Sequence, residues 1–400
     1  MSAAQEPPDE RRTVLVTLSG ADRPGVTAAV FAACGAFPVE VVDIEQMVIR
    51  GRLVLAVLLT APRDLPAMRT ALAEVAQSQG LEFALEPGLG DAHSRGSGRA
   101  RVTVLGSPLR PAAFAAVAGR VADTGANIDR IRRIARYPVT AVDLDVSGAD
   151  TGRLQVLLAT EAARQWVDIA VQSADIHRYA QRLVVLDVDS TLVQGEVIEM
   201  LAEHAGCRAE VQDVTDRAMR GELDFETSLR ERVALLAGVP AAVIEQVYAG
   251  LVLTPGARTL VRALHRLGYR LGLVSGGFTQ VVEPIAHDLG IRYVAANTLE
   301  IEDAHLTGRL VGDIVDRATK ADALRRFAVD AGVPIRNTVA VGDGANDLDM
   351  LAAAGLGVAF NAKQVVREAA DTAVSAPYLD SVAYLLGITR EELEAGDDSD

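Results

Sequence analysis

Cysteine is scarce in this 400-residue chain, and the two that it has, Cys34 and Cys207, lie far apart. No disulfide framework and no thiolate metal cluster can be built from them, so we expect a reducing, cytoplasmic compartment. Positive charge is also in short supply, since the formal net charge is −15. Binding to nucleic acid or to an anionic membrane surface needs a basic face, so neither partner is expected.

Long apolar runs are missing as well. No uncharged apolar stretch reaches the ~18 residues that a membrane-spanning helix needs. The polar N-terminus, residues 1–12, lacks the apolar core of a signal peptide. It is predicted to be disordered, as is the closing stretch EAGDDSD of the acidic tail, residues 389–400. Half of the residues are nevertheless hydrophobic, which is typical of a globular protein with two or three domains at this length.

Two breaks divide the chain, a Gly- and Ser-rich linker at 88–100 and a second break between VQSADIHRYAQ, which ends at residue 181, and the strand that follows it. Residues 13–90 follow the pattern β-α-β-β-α-β, and residues 100–178 repeat it. A repeat of roughly 85 residues is too long for a solenoid. We therefore predict two tandem α+β domains of the ferredoxin-like kind, each with a four-stranded antiparallel sheet under two helices.

From residue 182 to 388 short apolar strands alternate with helices, which predicts an α/β domain with a doubly wound parallel sheet. Its strands include RLVVLDVD, RLGLVSGG, TVAVGDG and LGVAF. Between the first two, at about 194–252, the pattern is wholly helical and far too long for a loop. We predict a small helical cap there.

The stretch VVLDVDSTL ends a buried strand on two carboxylates, Asp187 and Asp189. Ligands bind at the carboxyl ends of the strands in a doubly wound sheet. Two adjacent anions in a partly dry site repel, so they need a cation or a proton, and Mg²⁺ suits a site with few carboxylates and a phosphate. An isolated D-x-D is more often a solvated turn, so this motif alone does not decide.

Three further polar clusters fall where the same edge of the sheet is predicted. They are Ser275 and Gly276 after the second strand, Lys320 at the start of a helix, and Asp343, Asn346 and Asp347 after the third strand. Each alone is ordinary turn or surface chemistry. Because their order along the chain brings all of them to one end of one sheet, together they predict a single active site.

The motifs D-x-D-S-T, S-G-G, the lysine and G-D-G-x-N-D resemble the haloacid dehalogenase superfamily of phosphohydrolases. The stretches GEVIEMLAEHAG, AMRGELDFETSLRERVALLAG and TPGARTLVRAL are similar to the phosphoserine phosphatase family. The resemblance covers residues 182 to about 388. It implies hydrolysis of O-phospho-L-serine to L-serine and phosphate, the last step of serine biosynthesis, with Mg²⁺ as the cofactor.

The resemblance also implies a role for each motif residue. Asp187 is the expected nucleophile and forms an acyl-phosphate, while Asp189 is the expected general acid and base. Mg²⁺ is expected on Asp187, the backbone carbonyl of Asp189, and Asp343. The expected donors to the phosphoryl oxygens are Ser275, the backbone N–H of Gly276, Lys320 and Asn346. Asp347 is expected to orient Lys320 or a metal-bound water.

Substrate choice must come from outside the phosphate site, because every phosphoester presents the same phosphate. Glu196 is expected to pair with the ammonium of phosphoserine, and Arg232 of the cap to hold its carboxylate bidentately. Met219 and Phe225 flank the substrate in the family pattern, although both fit a cap core equally well. Arg232 also fits a solvated helix face.

The two N-terminal units resemble ACT domains, which are regulatory modules that commonly bind amino acids. The first unit carries SGADRPGV at its first strand–helix turn. The resemblance implies a serine effector at Gly20, Asp22 and Gly25, and a homodimer formed across the ACT sheets. The second unit reads GSPLRPAAF and lacks the corresponding Asp and Gly.

Two other interpretations stay open at this point. One is a related phosphatase for another small phosphomonoester, or a phosphotransferase that passes the phosphoryl group to an alcohol. The other is an amino-acid sensor built on an inactive phosphatase fold. Such a sensor would lack the nucleophile, the acid or the lysine, whereas Asp187, Asp189 and Lys320 are all present.

Overall fold

The structure, a computed structural model, describes residues 12–90, 98–173 and 182–395. The chain forms two compact units, residues 1–95 and 96–400. The disorder predicted for the N-terminus and the middle of the predicted linker fall outside the described residues.

Unit 1 is an antiparallel sheet with two helices on one face. Its elements are β1 (Arg12–Ala21), α1 (Val26–Cys34), β2 (Val41–Ile49), β3 (Arg52–Thr60), α2 (Leu65–Gln79) and β4 (Leu81–Leu89). The strands lie in the order β2-β3-β1-β4, and every neighbouring pair is antiparallel. Alternate side chains of β1 and β3 are buried against the helices. The predicted β-α-β-β-α-β fold is confirmed.

Unit 2 begins with a second copy of this fold. Its elements are β5 (Arg99–Gly106), α3 (Pro111–Asp123), β6 (Asn127–Ala135), β7 (Thr140–Ser147), α4 (Thr151–Gln165) and β8 (Asp168–Ser173). The order β6-β7-β5-β8 is again antiparallel and matches the order in unit 1 strand for strand. The predicted tandem repeat is thereby confirmed.

The rest of unit 2 is built on a seven-stranded mixed sheet in the order β12-β11-β10-β9-β13-β14-β15. Its elements are β9 (Leu183–Leu186), α5 (Val197–Ala205), α6 (Arg208–Met219), α7 (Phe225–Ala234), α8 (Ala242–Gly250), α9 (Ala257–Arg266), β10 (Arg270–Phe278), α10 (Thr279–Asp288), β11 (Tyr293–Glu302), β12 (His305–Val311), α11 (Arg317–Ala331), β13 (Thr338–Gly342), α12 (Leu348–Ala353), β14 (Leu356–Phe360), α13 (Gln364–Ala369), β15 (Thr372–Val374), α14 (Val382–Leu385) and α15 (Arg390–Glu394). All strands run parallel except β12. Helices α5 to α8 occupy the stretch in which a helical cap was predicted.

The strands β11 and β12 form a hairpin that the sequence analysis did not predict. Its turn uses Asp303 and Ala304, both at positive φ (46° and 59°). Turns of this kind usually carry Asn-Gly or Asp-Gly, so the usual sequence signal is absent. β12 also packs on the cap helix α7, where a Cβ on Gly308 would lie 3.2 Å from the Cα of Ala234. The hairpin therefore supports the cap from the sheet side.

The helix α15 lies within the stretch predicted as an acidic tail. The Thr389 hydroxyl accepts from the backbone N–H of Glu392 (3.2 Å), and the Glu392 carboxylate accepts from that of Thr389 (2.7 Å). This reciprocal cap starts a helix whose Leu393 is buried. Residues 390–394 of that stretch are therefore helical, and residues 396–400 lie outside the described part.

The second antiparallel sheet packs directly on the α/β part of unit 2. Leu105 and Ile134 of the sheet belong to the same buried apolar cluster as Leu385 of α14. Asp168 of β8 accepts hydrogen bonds from the backbone N–H and the hydroxyl of Ser375, at 2.7 and 2.8 Å. The face of the sheet opposite its own helices is thus covered. Across the described residues, none of the helices has both the length and the apolarity needed to span a bilayer.

Candidate active site

The strands β9, β10 and β13 bring three polar loops to one edge of the sheet, as expected of neighbouring parallel strands. Directly after β9 the chain enters the tight turn Val188–Leu192. The backbone N–H of Asp187 still donates to the carbonyl of Val341 in β13, at 2.8 Å, so the start of the turn is anchored to the sheet. Ser190 within the turn has φ 57°, a left-handed conformation that is costly for a residue with a side chain.

A buried lysine bridges two of the carboxylates. The ammonium of Lys320, at the start of α11, lies 2.7 Å from Asp187 Oδ1 and 2.6 Å from Asp347 Oδ1. Burial by itself lowers the pKa of Lys320, but the two carboxylates outweigh it, so its pKa is raised and the ammonium stays charged. Burial raises the pKa of Asp187, and Asp347 raises it further against the opposing effect of Lys320. Asp187 therefore depends on cations to remain ionised.

Asp189 is held in one orientation by two donors. Its Oδ1 accepts from the backbone N–H of Val197 at the start of α5 (2.8 Å), and its Oδ2 accepts from the hydroxyl of Ser275 (3.1 Å). A Cβ on Gly277 would lie 2.8 Å from Asp189 Oδ2, so only glycine permits this approach. Burial raises the pKa of Asp189, although both hydrogen bonds oppose the shift. A proton is therefore available on this carboxyl at a higher pH than on a solvated aspartate.

Two threonines, to which the sequence analysis assigned no role, support Asp343. Thr191 donates its hydroxyl to Asp343 Oδ1 (2.9 Å), and Thr254 donates its hydroxyl to the backbone carbonyl of Thr191 (2.6 Å). Burial raises the pKa of Asp343 to about 6, with a further contribution from Asp347. The hydroxyl of Thr254 therefore ties the segment after the cap to the turn that carries the carboxylates.

Three carboxylates can converge on one cation. Oxygen atoms of Asp187, Asp343 and Asp347 lie within 4.8 Å of one another. All are hard oxygen donors, and the raised pKa values of Asp187 and Asp343 indicate a surplus of negative charge that a divalent cation would relieve. The oxygens of Asp347 already accept from Lys320 and from the backbone N–H of Gly344 (3.0 Å), so this carboxylate is also placed to orient the lysine. The residues present fit a divalent metal ion.

These groups border a cavity of about 490 Å³ between the sheet edge and the cap. The predicted site residues that line it are Asp187, Asp189, Glu196, Phe225, Arg232, Gly276, Asp343 and Asn346. Ser275, Lys320 and Asp347 lie behind this lining and contact it through the hydrogen bonds given above. The side chain of Met219 lies outside the described part of the structure.

The cap side of the cavity carries one carboxyl group, that of Glu196, and one guanidinium group, that of Arg232. Burial raises the pKa of Glu196 to about 7, with help from Asp189 and Asp343, while a 3.3 Å hydrogen bond from Ser190 opposes it. Burial lowers the pKa of Arg232, although Glu196 and Asp189 draw it upward. Arg232 is half-buried, so it is not part of a freely solvated helix face.

Two more polar residues near the site were missed from the sequence. Asn297 of β11 donates from its amide to the carbonyl of Gly276 (2.7 Å) and accepts from the backbone N–H of Val315 (2.8 Å). It thus braces the end of β10 against the segment before α11. Lys363, which precedes α13, lines the cavity directly. Each is a single polar residue outside a motif, so its spacing gives no signal.

The predicted effector residues lie in unit 1. Gly20 sits near the end of β1, where a Cβ would lie 2.6 Å from Leu81 Cδ2. Asp22 is exposed and its backbone N–H donates to the carbonyl of Gly51 (2.8 Å). Gly25 has φ 92° and precedes α1, so the turn requires glycine there. Gly20 is thus buried in β1, while Asp22 and Gly25 lie in the exposed turn that follows the strand.

Comparison with known families assigns three segments. Residues 184–352 match the haloacid dehalogenase-like hydrolases, and residues 12–86 and 99–172 each match an ACT domain. A phosphoserine phosphatase of Streptomyces coelicolor is 60% identical over 99% of this chain and 97% of its own length. The phosphoserine phosphatase SerB2 of Mycobacterium tuberculosis is 52% identical over 97% of this chain and 96% of its own length.

A solved structure is similar over a large part of the chain as well. The crystal structure of a probable phosphoserine phosphatase from Vibrio cholerae, in an unliganded form, covers 74% of this chain and 88% of its own, with 37% identity and a TM-score of 0.57. The full-length relatives and this structure agree on one family.

Proposed function

Because the chain belongs to the phosphoserine phosphatase family and is a phosphoric monoester hydrolase, we propose that it hydrolyses O-phospho-L-serine to L-serine and phosphate through a phosphorylated Asp187, as the last step of serine biosynthesis. The observation that carries the proposal is that two carboxylates at one turn, the buried Asp187 and the partly buried Asp189, have different partners. Asp187 faces the Lys320 ammonium at 2.7 Å, whereas Asp189 faces the Ser275 hydroxyl at 3.1 Å.

The first step is attack by a carboxylate oxygen of Asp187 on phosphorus. The new acyl-phosphate bond forms as the bond from phosphorus to the seryl oxygen breaks. Asp189, whose pKa is raised by burial, donates its proton to the departing seryl oxygen. L-Serine leaves as a neutral alcohol, and Asp189 is left ionised.

The second step regenerates the enzyme with the same two residues. Asp189 takes a proton from a water molecule as the water oxygen attacks phosphorus, and the bond from phosphorus to Asp187 breaks. The products are inorganic phosphate and the starting ionisation states of both carboxyl groups. This exchange of roles explains why the turn carries two carboxylates rather than one.

Fixed donors stabilise the charge on the phosphoryl oxygens. Lys320, the backbone N–H of Gly276, the Ser275 hydroxyl and the Asn346 amide are the donors that we propose for this purpose. Lys320 is already oriented by Asp347, so little reorganisation is needed during the reaction. We propose Mg²⁺ as the ion held by Asp187, Asp343 and the backbone carbonyl of Asp189. Bound there, it supplies Lewis-acid charge that offsets the repulsion between carboxylate and phosphate.

The cap determines which alcohol is accepted. We propose that Glu196 pairs with the ammonium of phosphoserine and that Arg232 holds its carboxylate. Both line the cavity, and their pKa shifts in opposite directions indicate that neither charge is well solvated without substrate. Phe225, 3.4 Å from the Cβ position of Gly276, closes the cavity between them.

Phosphate release from O-phospho-L-serine, with and without Mg²⁺, tests the catalytic proposal. We expect Asp187→Asn to reduce kcat by about 10³-fold or more. Asp349→Asn is the matched control, because this partly exposed carboxylate pairs with Arg317 at the surface. A hydroxylamine-labile phosphate adduct on wild-type Asp187 should be trapped during turnover. Undiminished activity in Asp187→Asn would rule out this nucleophile.

A related phosphatase for another small phosphomonoester, or a phosphotransferase, is the alternative. Arg232→Ala separates it from a phosphoserine enzyme. We expect kcat/KM for phosphoserine to fall about 10- to 100-fold, the value of one charged hydrogen bond, while turnover of an aryl phosphate changes little. Arg230→Ala on the same helix is the control, since Arg230 pairs with Glu226 at the surface. Equal losses for both substrates would favour the alternative.

We further propose regulation through the ACT domains and a homodimer. The exposed turn with Asp22 and Gly25, together with Gly20 at the end of β1, is the proposed site for a serine effector in unit 1. The edge strand β2 exposes Val41 and Ile49 by 53% and 63%, which supports pairing with a second copy across this sheet. Sedimentation of the purified protein tests the dimer.

A further inference from the structure

Lys363 is one of only two lysines in the chain, the other being Lys320, although the chain has 39 basic residues. Lys320 contacts Asp187 from behind the catalytic cavity, and Lys363 lines the cavity wall. Fewer than one residue in twenty of the chain lines this cavity. A protein that uses arginine at every other Lys or Arg position therefore has one lysine in the wall of this cavity and the other directly behind it.

The backbone brings Lys363 to the functional edge of the sheet. β14 lies beside β13 and ends at Phe360, after which Asn361 turns the chain with φ 46°. Lys363 then precedes α13 and is exposed at the cavity mouth. Within the described residues, its ammonium has no hydrogen-bond or ion-pair partner. The side chain is thus free to contact a ligand that enters or leaves.

The charges around the cavity suggest a role for the Lys363 ammonium. Four carboxylates line it, those of Asp187, Asp189, Glu196 and Asp343, and they repel a phosphate dianion. Lys320 is committed to two aspartates, and Arg232 lies in the field of Glu196 and Asp189. Among the described lining residues, Lys363 is the basic side chain that does not interact with carboxylates in this way.

We propose that Lys363 captures the phosphate group of the substrate at the cavity mouth and holds the product phosphate as it leaves. The inference rests on the proposed phosphatase function and adds a substrate-binding residue to it. A compact ammonium with three rotatable donors can follow a moving phosphate, whereas the planar fork of arginine is suited to one fixed geometry. A contact made equally before and during the reaction changes KM and leaves kcat unchanged.

The test compares Lys363→Ala, Lys363→Arg and wild type on O-phospho-L-serine and on p-nitrophenyl phosphate. In Lys363→Ala we expect KM for both substrates, and the inhibition constant of inorganic phosphate, to rise about three- to tenfold, the range for a partly exposed charge. We expect kcat to stay within about twofold of wild type, as for uniform binding. The effect should shrink as ionic strength rises, and Lys363→Arg should retain most of the affinity.

Arg326→Ala is the charge-matched control, since it removes an exposed cation from α11 away from the cavity. If Arg326→Ala raised KM as much as Lys363→Ala does, the effect would come from the net charge of the protein and the proposal would be overturned. A fall in kcat at constant KM would overturn it too, as would an unchanged inhibition constant for phosphate. A loss confined to phosphoserine would assign Lys363 to the substrate carboxylate instead. If phosphoserine is not a substrate at all, p-nitrophenyl phosphate and phosphate inhibition still decide the role of Lys363.

Discussion

Glu196 should make the metal-free protein less stable as pH rises. Burial and two neighbouring carboxylates raise its pKa from 4.5 to about 7 in the folded state. Between these values the unfolded chain loses the proton while the folded protein keeps it, so stability falls with rising pH through this window. A shift of about 2.5 pKa units corresponds to roughly 3 kcal/mol, all of it present below pH 4.5 and lost above pH 7. Glu196→Gln cannot ionise and should escape this loss.

The assay is thermal unfolding of wild type and Glu196→Gln in the presence of a chelator, at pH 5 and at pH 8. A domain of this size changes its Tm by about 2–4 °C per kcal/mol. The Tm of Glu196→Gln minus that of wild type should therefore be roughly 6–12 °C larger at pH 8 than at pH 5. Comparing the difference between two pH values cancels any constant effect of the glutamine. Glu203→Gln on α5, the helix that Glu196 precedes, is the control, because Glu203 is 64% exposed and pairs with Arg208 at the surface. A pH-independent effect of Glu196→Gln would refute the reasoning.

Three other perturbations have clear expected outcomes. Lys320→Met should lower kcat by about 10²–10³-fold in a phosphate-release assay, because it removes a preorganised donor, and a smaller effect would exclude the lysine from transition-state stabilisation. Gly256→Ala should destabilise the protein by roughly 2–4 kcal/mol in urea unfolding, because φ is 82° and the new Cβ would lie 2.5 Å from Asp380 Oδ1. Gly250→Ala, with open space around its Cβ position, should not destabilise it. Titration of phosphatase activity with L-serine should give inhibition that Asp22→Ala weakens, and an identical response in both proteins would contradict an effector site at that turn.

The sequence predicted the elements whose hydrophobic pattern is strong. The strand before Asp187 is a continuous apolar run because it is central and covered on both faces. Since parallel strands end at the same edge, the positions of Ser275 and Asp343 followed from the strand order alone. The repeat followed from the same order of strands and helices in both stretches. Buried and less buried residues alternate along β1, whereas β5 of the second sheet is buried almost throughout because both faces of that sheet are covered.

The elements that were missed lack such a pattern. The hairpin of β11 and β12 turns through Asp303 and Ala304, a pair without the glycine that usually marks this turn. Thr254 makes one hydrogen bond to a backbone group and Asn297 makes two, and these bonds depend on the folded chain rather than on residue spacing. A lone polar residue of this kind looks the same in sequence as a solvated one.

The covered face of the second antiparallel sheet limits how this chain can be shortened. A fragment beginning at residue 182 would strip Leu105 and Ile134 from the apolar surface around Leu385, and it would leave the polar groups of Ser375 without Asp168. An exposed apolar patch of this sort promotes aggregation, so poor solubility of the fragment would say nothing about catalysis. A truncation near residue 96, where one compact unit ends and the other begins, is therefore safer than a truncation at residue 182.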